Sequence, residues 1–479
     1  MLEKIKLLEK ESRLLDPNPQ LRGKWNKAVQ EYADRFLDGI ENMKTYHVEE
    51  EMGIKLLDFP ISETSKSIEE LLEIIEENVD SPALNPASGG HLAYIPGGGI
   101  FPTALGDYLA DVTNRYAGIF FAGPGAVRME NLLLRWMCEI VGYPKTALGN
   151  LTSGGSIANL MAITTARDHM QIKARDIEKS VIYLTNQAHH SLQKAIRIAG
   201  MAEAKLSYVP TDDRFRMDVS ALQNVIEKDI KNGFKPFLLI ASAGTTDTGA
   251  IDPMNKIAEV TKRFGIWYHV DAAYGGFFVL AEEVKDAFKG MEQADSITID
   301  PHKGLFLAYG TGAVLIKNVE ALQNTNNYQA NYMQDVIVEE NEPSPANLSP
   351  ELTKHFRGMR MWLPLQLFGL KPFKAAISEK LWLCRYFYEE IQKIGFEVGP
   401  EPELSVAIYR YLPKRGDANS FNAKIVKLVR EDGRVFLSST TIDGVFWIRI
   451  AILCFRSHLN TIDLCLQILK EKVSFLESE

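Results

Sequence analysis

The chain has 479 residues, 46% hydrophobic, 24% charged and 10% aromatic, which excludes a disordered, collagen-like or disulfide-scaffold protein. Its net charge of −9 argues against a nucleic-acid surface. No run approaches the about 18 apolar residues of a membrane span, and MLEKIKLLEKESRLLDP at the N-terminus interleaves charges with leucines, unlike a secretory signal. No membrane partner is expected, and a length of this order allows about three domains.

Residues 1–80 read as helical. Pro17, Asn18 and Pro19 break the chain, and Trp25, Val29, Tyr32, Phe36 and Ile40 then fall on one helix face. Ser67 to Glu70 has the spacing of a capping box ahead of Leu71, Leu72, Ile74 and Ile75. Residues 81–99 are rich in proline and glycine and read as loop. From about 145, β-rich runs alternate with helix-length stretches: 180–186, 205–209, 236–243, 266–273, 296–300 and 313–318. That alternation predicts an α/β domain with a mostly parallel sheet covered by helices on both faces. The last two runs are joined too briefly for a crossover and are expected to pair antiparallel. Residues 319–350 show no helical period and read as a long loop of the kind that often forms a lid. Beyond Phe356 a helix-rich segment precedes strands near 404–411, 434–438 and 446–452 and a final helix, which predicts a small α+β domain. The division expected is 1–80, 81–365 and 366–479. Cys138, Cys384, Cys454 and Cys465 have no metal-ligand or CxxC spacing and read as free core thiols of a cytoplasmic protein.

Four motifs at strand ends or helix starts carry chemistry. Thr152-Ser153-Gly154-Gly155-Ser156 precedes a helical run, so backbone N–H groups could approach an anion, or the loop could be an ordinary N-cap. In His269-Val270-Asp271-Ala272-Ala273 the carboxylate ends a buried strand and needs a partner. That partner could be a protonated pyridine nitrogen, a salt bridge or a helix end. In Asp300-Pro301-His302-Lys303 the lysine follows a strand and could form a Schiff base or simply face solvent. In Gln187-Ala188-His189-His190-Ser191 an imidazole could stack on a flat ring or cap a helix. Adjacent histidines lack the i, i+4 spacing of metal ligands, and no metal is expected.

Phosphate loop, stacking ring, carboxylate and lysine together are the parts of a pyridoxal 5'-phosphate site. With HVDAAYGG, DPHKG, SGGSIANL, NQAHHS and LSSTTIDGVFWIRIAILCFRSH, the chain resembles the group II pyridoxal-phosphate decarboxylases from about residue 20 to 475. The resemblance implies fold type I, the pyridoxal-phosphate-dependent transferase fold. Its features are a central, mostly parallel seven-stranded sheet, an N-terminal helical dimerisation segment and a small C-terminal domain. It implies an amino-acid decarboxylase acting as a homodimer, with sites at the subunit interface. Lys303 matches the lysine that binds the cofactor covalently, and Asp271 the partner of its ring nitrogen. His189 and Ala273 match the residues on the two ring faces, and Gly155 and Ser156 the phosphate loop. Thr246 matches the threonine near the ring substituents, and His302 lies beside the lysine.

Two features depart from the family pattern. Asp300 stands where many relatives have asparagine, and near a phosphate it would add repulsion that a protonated neighbour must offset. The tyrosine that usually returns a proton to the substrate carbon is missing between 333 and 355, which leaves Tyr328 and Tyr332, His302 or the partner subunit as the source of that proton. That absence also opens an alternative, an aldehyde synthase that couples decarboxylation to oxidative deamination by O2. Substrate contacts are expected from 91–102 and 120–128, with Tyr94, Pro96, Phe101 and Phe120 as candidates. The run 96–99 removes side chains and would leave a roomy pocket. The aromatic residues favour an aromatic substrate, whereas Arg128 would suit an acidic one.

Overall fold

A computed structural model of the chain describes residues 1–48, 52–327 and 342–478. Helix α1 (Leu2–Ser12) leads into α2 (Pro19–Gly39), which starts where the Asn18 side chain accepts from the Leu21 N–H at 2.9 Å and Pro19 takes the first helical position. Neither helix buries a side chain within one chain. A short strand β1 (Tyr46–His47) is followed by α3 (Ile68–Ile75), capped by the Ser67 hydroxyl, which accepts from Glu70 N–H at 3.1 Å. Strand β2 (Ala83–Leu84) pairs with β1, and the rest of 81–99 is irregular, as its composition predicts. Helices α4 (Pro102–Thr113) and α5 (Pro124–Ile140) then cover one flank.

The central sheet alternates with its crossovers in chain order. They run β3 (Leu148–Thr152), α6 (Gly155–His169), β4 (Ser180–Leu184), α7 (His190–Ile198), β5 (Lys205–Tyr208) and α8 (Val219–Lys231). Then come β6 (Lys235–Ser242), α9 (Met254–Phe264), β7 (Trp267–Asp271), β8 (Ser296–Ile299), the short α10 (Pro301–Gly304) and β9 (Gly312–Ile316). The spatial order is β3-β9-β8-β7-β6-β4-β5, and β9 alone runs against its neighbours. The antiparallel β8–β9 pair agrees with the short connection seen in the sequence. Strand β3 is absent from the sequence reading because LGNLT carries two poor strand formers, and tertiary contacts require both. A Cβ on Gly149 would collide with the Val314 carbonyl. The buried Asn150 donates to the Pro345 carbonyl at 3.0 Å and accepts from Lys354 Nζ at 3.1 Å.

The long loop expected over 319–350 is corrected at its start, and its described end is irregular and tied down. Residues Val319–Asn326 form α11, started by the Asn318 side chain accepting from Glu320 N–H. At the other end Glu342 meets Arg135 at 2.9 Å and Asn131 at 2.7 Å, and Ser344 Oγ accepts from the Phe120 N–H at 3.0 Å. Tyr328 and Tyr332 lie outside the described residues.

The C-terminal part comprises α12 (Arg357–Phe368), α13 (Leu370–Lys393), β10 (Phe396–Val398), β11 (Val406–Tyr411), α14 (Ala418–Asp432), β12 (Ser438–Ile442), β13 (Val445–Ala451) and α15 (Leu459–Ser478). Its four strands form an antiparallel sheet in the order β10-β11-β13-β12. The strand expected at 434–438 forms instead at 438–442, because Asp443 and Gly444 both take positive φ and close a two-residue hairpin. The stretch before it pairs elsewhere: Phe436 N–H donates to the Gly90 carbonyl and its own carbonyl accepts from Leu92 N–H. Helix α13 belongs to both cores. Phe373, Ile377 and Leu381 pack beneath the large sheet, and Leu383, Cys384, Phe387 and Ile391 pack in the small domain. Position 365 falls inside α12, so the two cores join through helices.

Candidate active site

Strands β3, β4, β6, β7 and β8 point the same way, and the segments at their carboxyl ends converge on one cavity of about 310 Å³. That volume is at the lower end of the roughly 300–1,000 Å³ typical of small-molecule sites. All nine residues that the sequence assigns to a cofactor line it: Gly155, Ser156, His189, Thr246, Asp271, Ala273, Asp300, His302 and Lys303.

One end of the cavity is built for an anion. Helix α6 begins at Gly155, and the first-turn N–H groups of such a helix have no intrahelical acceptor. A Cβ on Gly155 would lie 3.0 Å from Asp300 Oδ2 and 3.2 Å from the Ala273 Cβ, so a side chain there would fill the cradle. At the end of β7 the buried Asp271 accepts from Asn159 Nδ2 at 3.0 Å and from the Ala273 N–H at 3.1 Å. Among the described residues no lysine or arginine pairs with it. A carboxylate so enclosed calls for a cationic partner from the cavity side.

Lys303 sits on α10 with Nζ 3.4 Å from Asp300 Oδ2. Asp300 is 1% exposed, and Lys303 is the counter-charge beside it. His302 does not fill that role. Its Nδ1 faces the Thr311 carbonyl at 2.6 Å, and a carbonyl only accepts, so the proton sits on Nδ1. Burial lowers its pKa more than Asp300 raises it, and the neutral ring keeps a lone pair on Nε2, 3.8 Å from Asp300. His189 caps α7 and borders the cavity at once. Its Nδ1 accepts from the Ser191 N–H, and burial lowers its pKa despite Asp271 nearby.

Asn159, Gln187, Ser242, Thr245 and Tyr274 also line the cavity and were missed in the sequence. Asn159 was within reach: it stands four residues after Gly155, one helical turn along the same face. Tyr94, Pro96, Phe101 and Phe120 are not among the lining residues of the single chain. Tyr94 and Phe101 are exposed, and Phe120 is buried under the Arg128 guanidinium at 4.9 Å. The glycines at 97 and 98 do not enlarge a pocket. A Cβ on either would strike the His302 carbonyl or Cys454 Sγ, so they allow close packing instead.

A carboxylate with no cation among the described residues, an anion cradle and an amine around one cavity fit pyridoxal phosphate, with its cationic ring nitrogen, phosphate and aldehyde. Residues 50–412 match the family described as the pyridoxal-dependent decarboxylase conserved domain.

The chain belongs to that family.

The enzyme is a pyridoxal-phosphate-dependent carboxy-lyase. The decarboxylase is 32% identical over 458 residues to an aromatic-L-amino-acid decarboxylase of Bacillus atrophaeus, covering 93% of this chain and 94% of that one. It is 27% identical over 469 residues to a phenylacetaldehyde synthase of Petunia hybrida, covering 92% of each. In fold it superposes on Oryza sativa TDC with PLP and tryptamine at a TM-score of 0.89. Sequence identity there is 21%, over 96% of this chain and 99% of the other.

Proposed function

We propose that the enzyme converts an aromatic L-amino acid to its amine and CO2, working as a homodimer in a reducing, cytoplasmic compartment. The observation that carries the site reading is Asp271: a buried carboxylate without a cation, in the same cavity as a lysine and an anion cradle. The names of the relatives support the aromatic substrate class. Four buried free thiols support the compartment. No helix among the described residues is long and apolar enough to cross a membrane. Support for the dimer comes from helix α2, whose Trp25 and Val29 stay exposed, and from exposed Tyr94, Phe101 and Phe121. In a dimer, Tyr94, Pro96, Phe101 and Phe120 would complete the substrate pocket.

When bound, the cofactor supplies an electron sink for the pair left on the substrate carbon as CO2 departs. Lys303 would hold its aldehyde, and Gly155 and Ser156 would hold its phosphate. Asp271 would keep a proton on the ring nitrogen, His189 and Ala273 would flank the ring, and Thr246 would lie near its substituents. His302, with its proton committed to Thr311, offers a lone pair and accepts rather than donates. Tyr328 or Tyr332 is assigned the return of a proton to the substrate carbon.

A second reading, oxidative deamination with O2 to an aldehyde, ammonia and hydrogen peroxide, is favoured by the lack of tyrosine between 333 and 355. One assay separates the readings: CO2, amine, ammonia and peroxide are measured over aromatic, acidic and diamino acids. Amine equal to CO2 from an aromatic substrate is expected. Peroxide equal to CO2 establishes the second reading, and turnover confined to acidic or diamino acids ends the aromatic one. Tyr328→Phe or Tyr332→Phe should divert product from amine to peroxide if that residue is the donor.

A further inference from the structure

From Asp271 a chain of buried polar groups runs through the cavity-lining Asn159 into the interior, and its proton order follows from chemistry. In β7 the alternation of a strand puts Trp267, His269 and Asp271 on one face. Register places His269 opposite Ser296 of β8. Trp267 Nε1 lies 2.8 Å from Ser296 Oγ, which lies 2.9 Å from His269 Nδ1, and the Ser296 carbonyl lies farther from that nitrogen, at 3.2 Å. His269 Nε2 is 3.0 Å from Asn159 Oδ1, and Asn159 Nδ2 is 3.0 Å from Asp271 Oδ2. Trp267, Ser296, His269 and Asn159 are each at most 4% exposed.

The two ends fix the direction. An indole N–H only donates, and a carboxylate only accepts. Ser296 Oγ therefore accepts from Trp267 and has its own proton free for His269 Nδ1 at the shorter distance, whereas the Ser296 carbonyl could only accept from a protonated Nδ1. The Asn159 amide nitrogen must face Asp271, since its oxygen there would oppose a carboxylate. Its oxygen then faces His269, which must donate from Nε2. Every donor in the series points toward Asp271, and none can pass it a proton without leaving a neighbour unpaired.

We propose that His269 and Asn159 are positioning residues that hold Asp271 as an oriented anion for the cofactor's ring nitrogen, with Ser296 and Trp267 fixing the His269 tautomer. The proposal rests on the reading that Asp271 meets that nitrogen. Burial also pushes the His269 pKa down to about 4, in keeping with a neutral ring. The imidazole thus acts as a fixed dipole, and a second charge beside Asp271 is avoided.

The test uses the full-length enzyme with pyridoxal phosphate as the probe. With histidine labelled by 15N, the apoenzyme should show one buried imidazole protonated on Nε2 that does not titrate between pH 6 and 8 and is lost in His269→Leu. His269→Leu should weaken cofactor affinity at least tenfold, with unchanged far-ultraviolet circular dichroism, and should shift the pH profile of the bound cofactor's absorbance. His269→Gln, which keeps an N–H near the Nε2 position, should recover most of both. Should His269→Leu not fold, Ser296→Ala serves instead: it should give a mixture of His269 tautomers and a smaller loss of affinity. An Nδ1-protonated or charged His269 overturns the proposal. Wild-type affinity and absorbance profile in a folded His269→Leu or Ser296→Ala protein overturn it as well. Asp271→Asn separates the two levels. If it weakens the cofactor while His269→Leu does not, only the positioning role fails. If Asp271→Asn binds the cofactor normally, the site reading fails and the proposal with it.

Discussion

A carboxylate beside an anion cradle opposes phosphate binding, and Asp300 stands there with Lys303 as its counter-charge. When Lys303 is committed to the cofactor's aldehyde, that charge loses its partner. Asp300→Asn should therefore bind pyridoxal phosphate more tightly, by roughly tenfold, the scale of a partly screened like-charge contact. Equilibrium titration of the apoenzyme measures it, and weaker binding would show that the Asp300 charge favours the cofactor. Lys303→Ala should remove covalent attachment, seen as loss of borohydride-fixed cofactor, and lower turnover by at least ~1,000-fold. Retained cofactor fixation in that variant would place the attachment elsewhere.

Elements are tied together by one fully buried ion pair. Lys354 Nζ lies 2.8 Å from Glu130 Oε2, with both side chains at 0% exposure. The pair joins α5, the edge strand β3 through Asn150, and the start of α12, where Gly358 N–H donates to Glu130 Oε1. Breaking it from one side leaves a buried charge, so Lys354→Met should cost about 3–5 kcal/mol. Adding Glu130→Gln removes that charge, keeps an acceptor for Gly358, and should restore much of the loss. Urea unfolding of the three proteins checks both steps. A single variant as stable as wild type would mean that Glu130 finds another partner. The sequence could not show this link, since the partners are 224 positions apart and each looks like an ordinary surface charge. Local signals were legible by contrast: Ser67 and Asn18 cap the helices their spacing announces.

Across the molecule, buried histidines contribute to the response to acid. Burial holds His91 and His269 at about 4, against about 6.5 in an unfolded chain. Between these values the unfolded chain binds more protons, so stability falls as pH drops from 6.5 to 4, by up to about 3 kcal/mol for each ring. Asp252 works in the opposite sense. Burial raises it to about 6, so the folded chain binds its proton first and gains stability as pH falls from 6 to 4. It offsets roughly one histidine, and the three groups together should leave a loss of about 3 kcal/mol. The urea midpoint should drop from pH 7 to pH 4. His91→Phe, set against the rings of Tyr94 and Phe436, should shrink that drop. An unchanged pH slope in that variant would assign the acid sensitivity to other groups.

By itself the sequence determined the alternation of strands and helices and the direction of the last strand pair, and the family resemblance of its motifs named cofactor candidates that line one cavity. These are local: a strand end, a helix start or a short motif places each side chain at the carboxyl edge of a parallel sheet. Tertiary structure alone decided the rest. Strand β3 forms from a glycine and an asparagine because a neighbouring carbonyl and a buried lysine need them. Lys303 rather than His302 balances Asp300, because a carbonyl takes the histidine's proton. The run from Trp267 to Asp271 acquires its polarity only when β8 and α6 supply Ser296 and Asn159, since hydrogen-bond direction depends on both partners, and here they are distant in the chain.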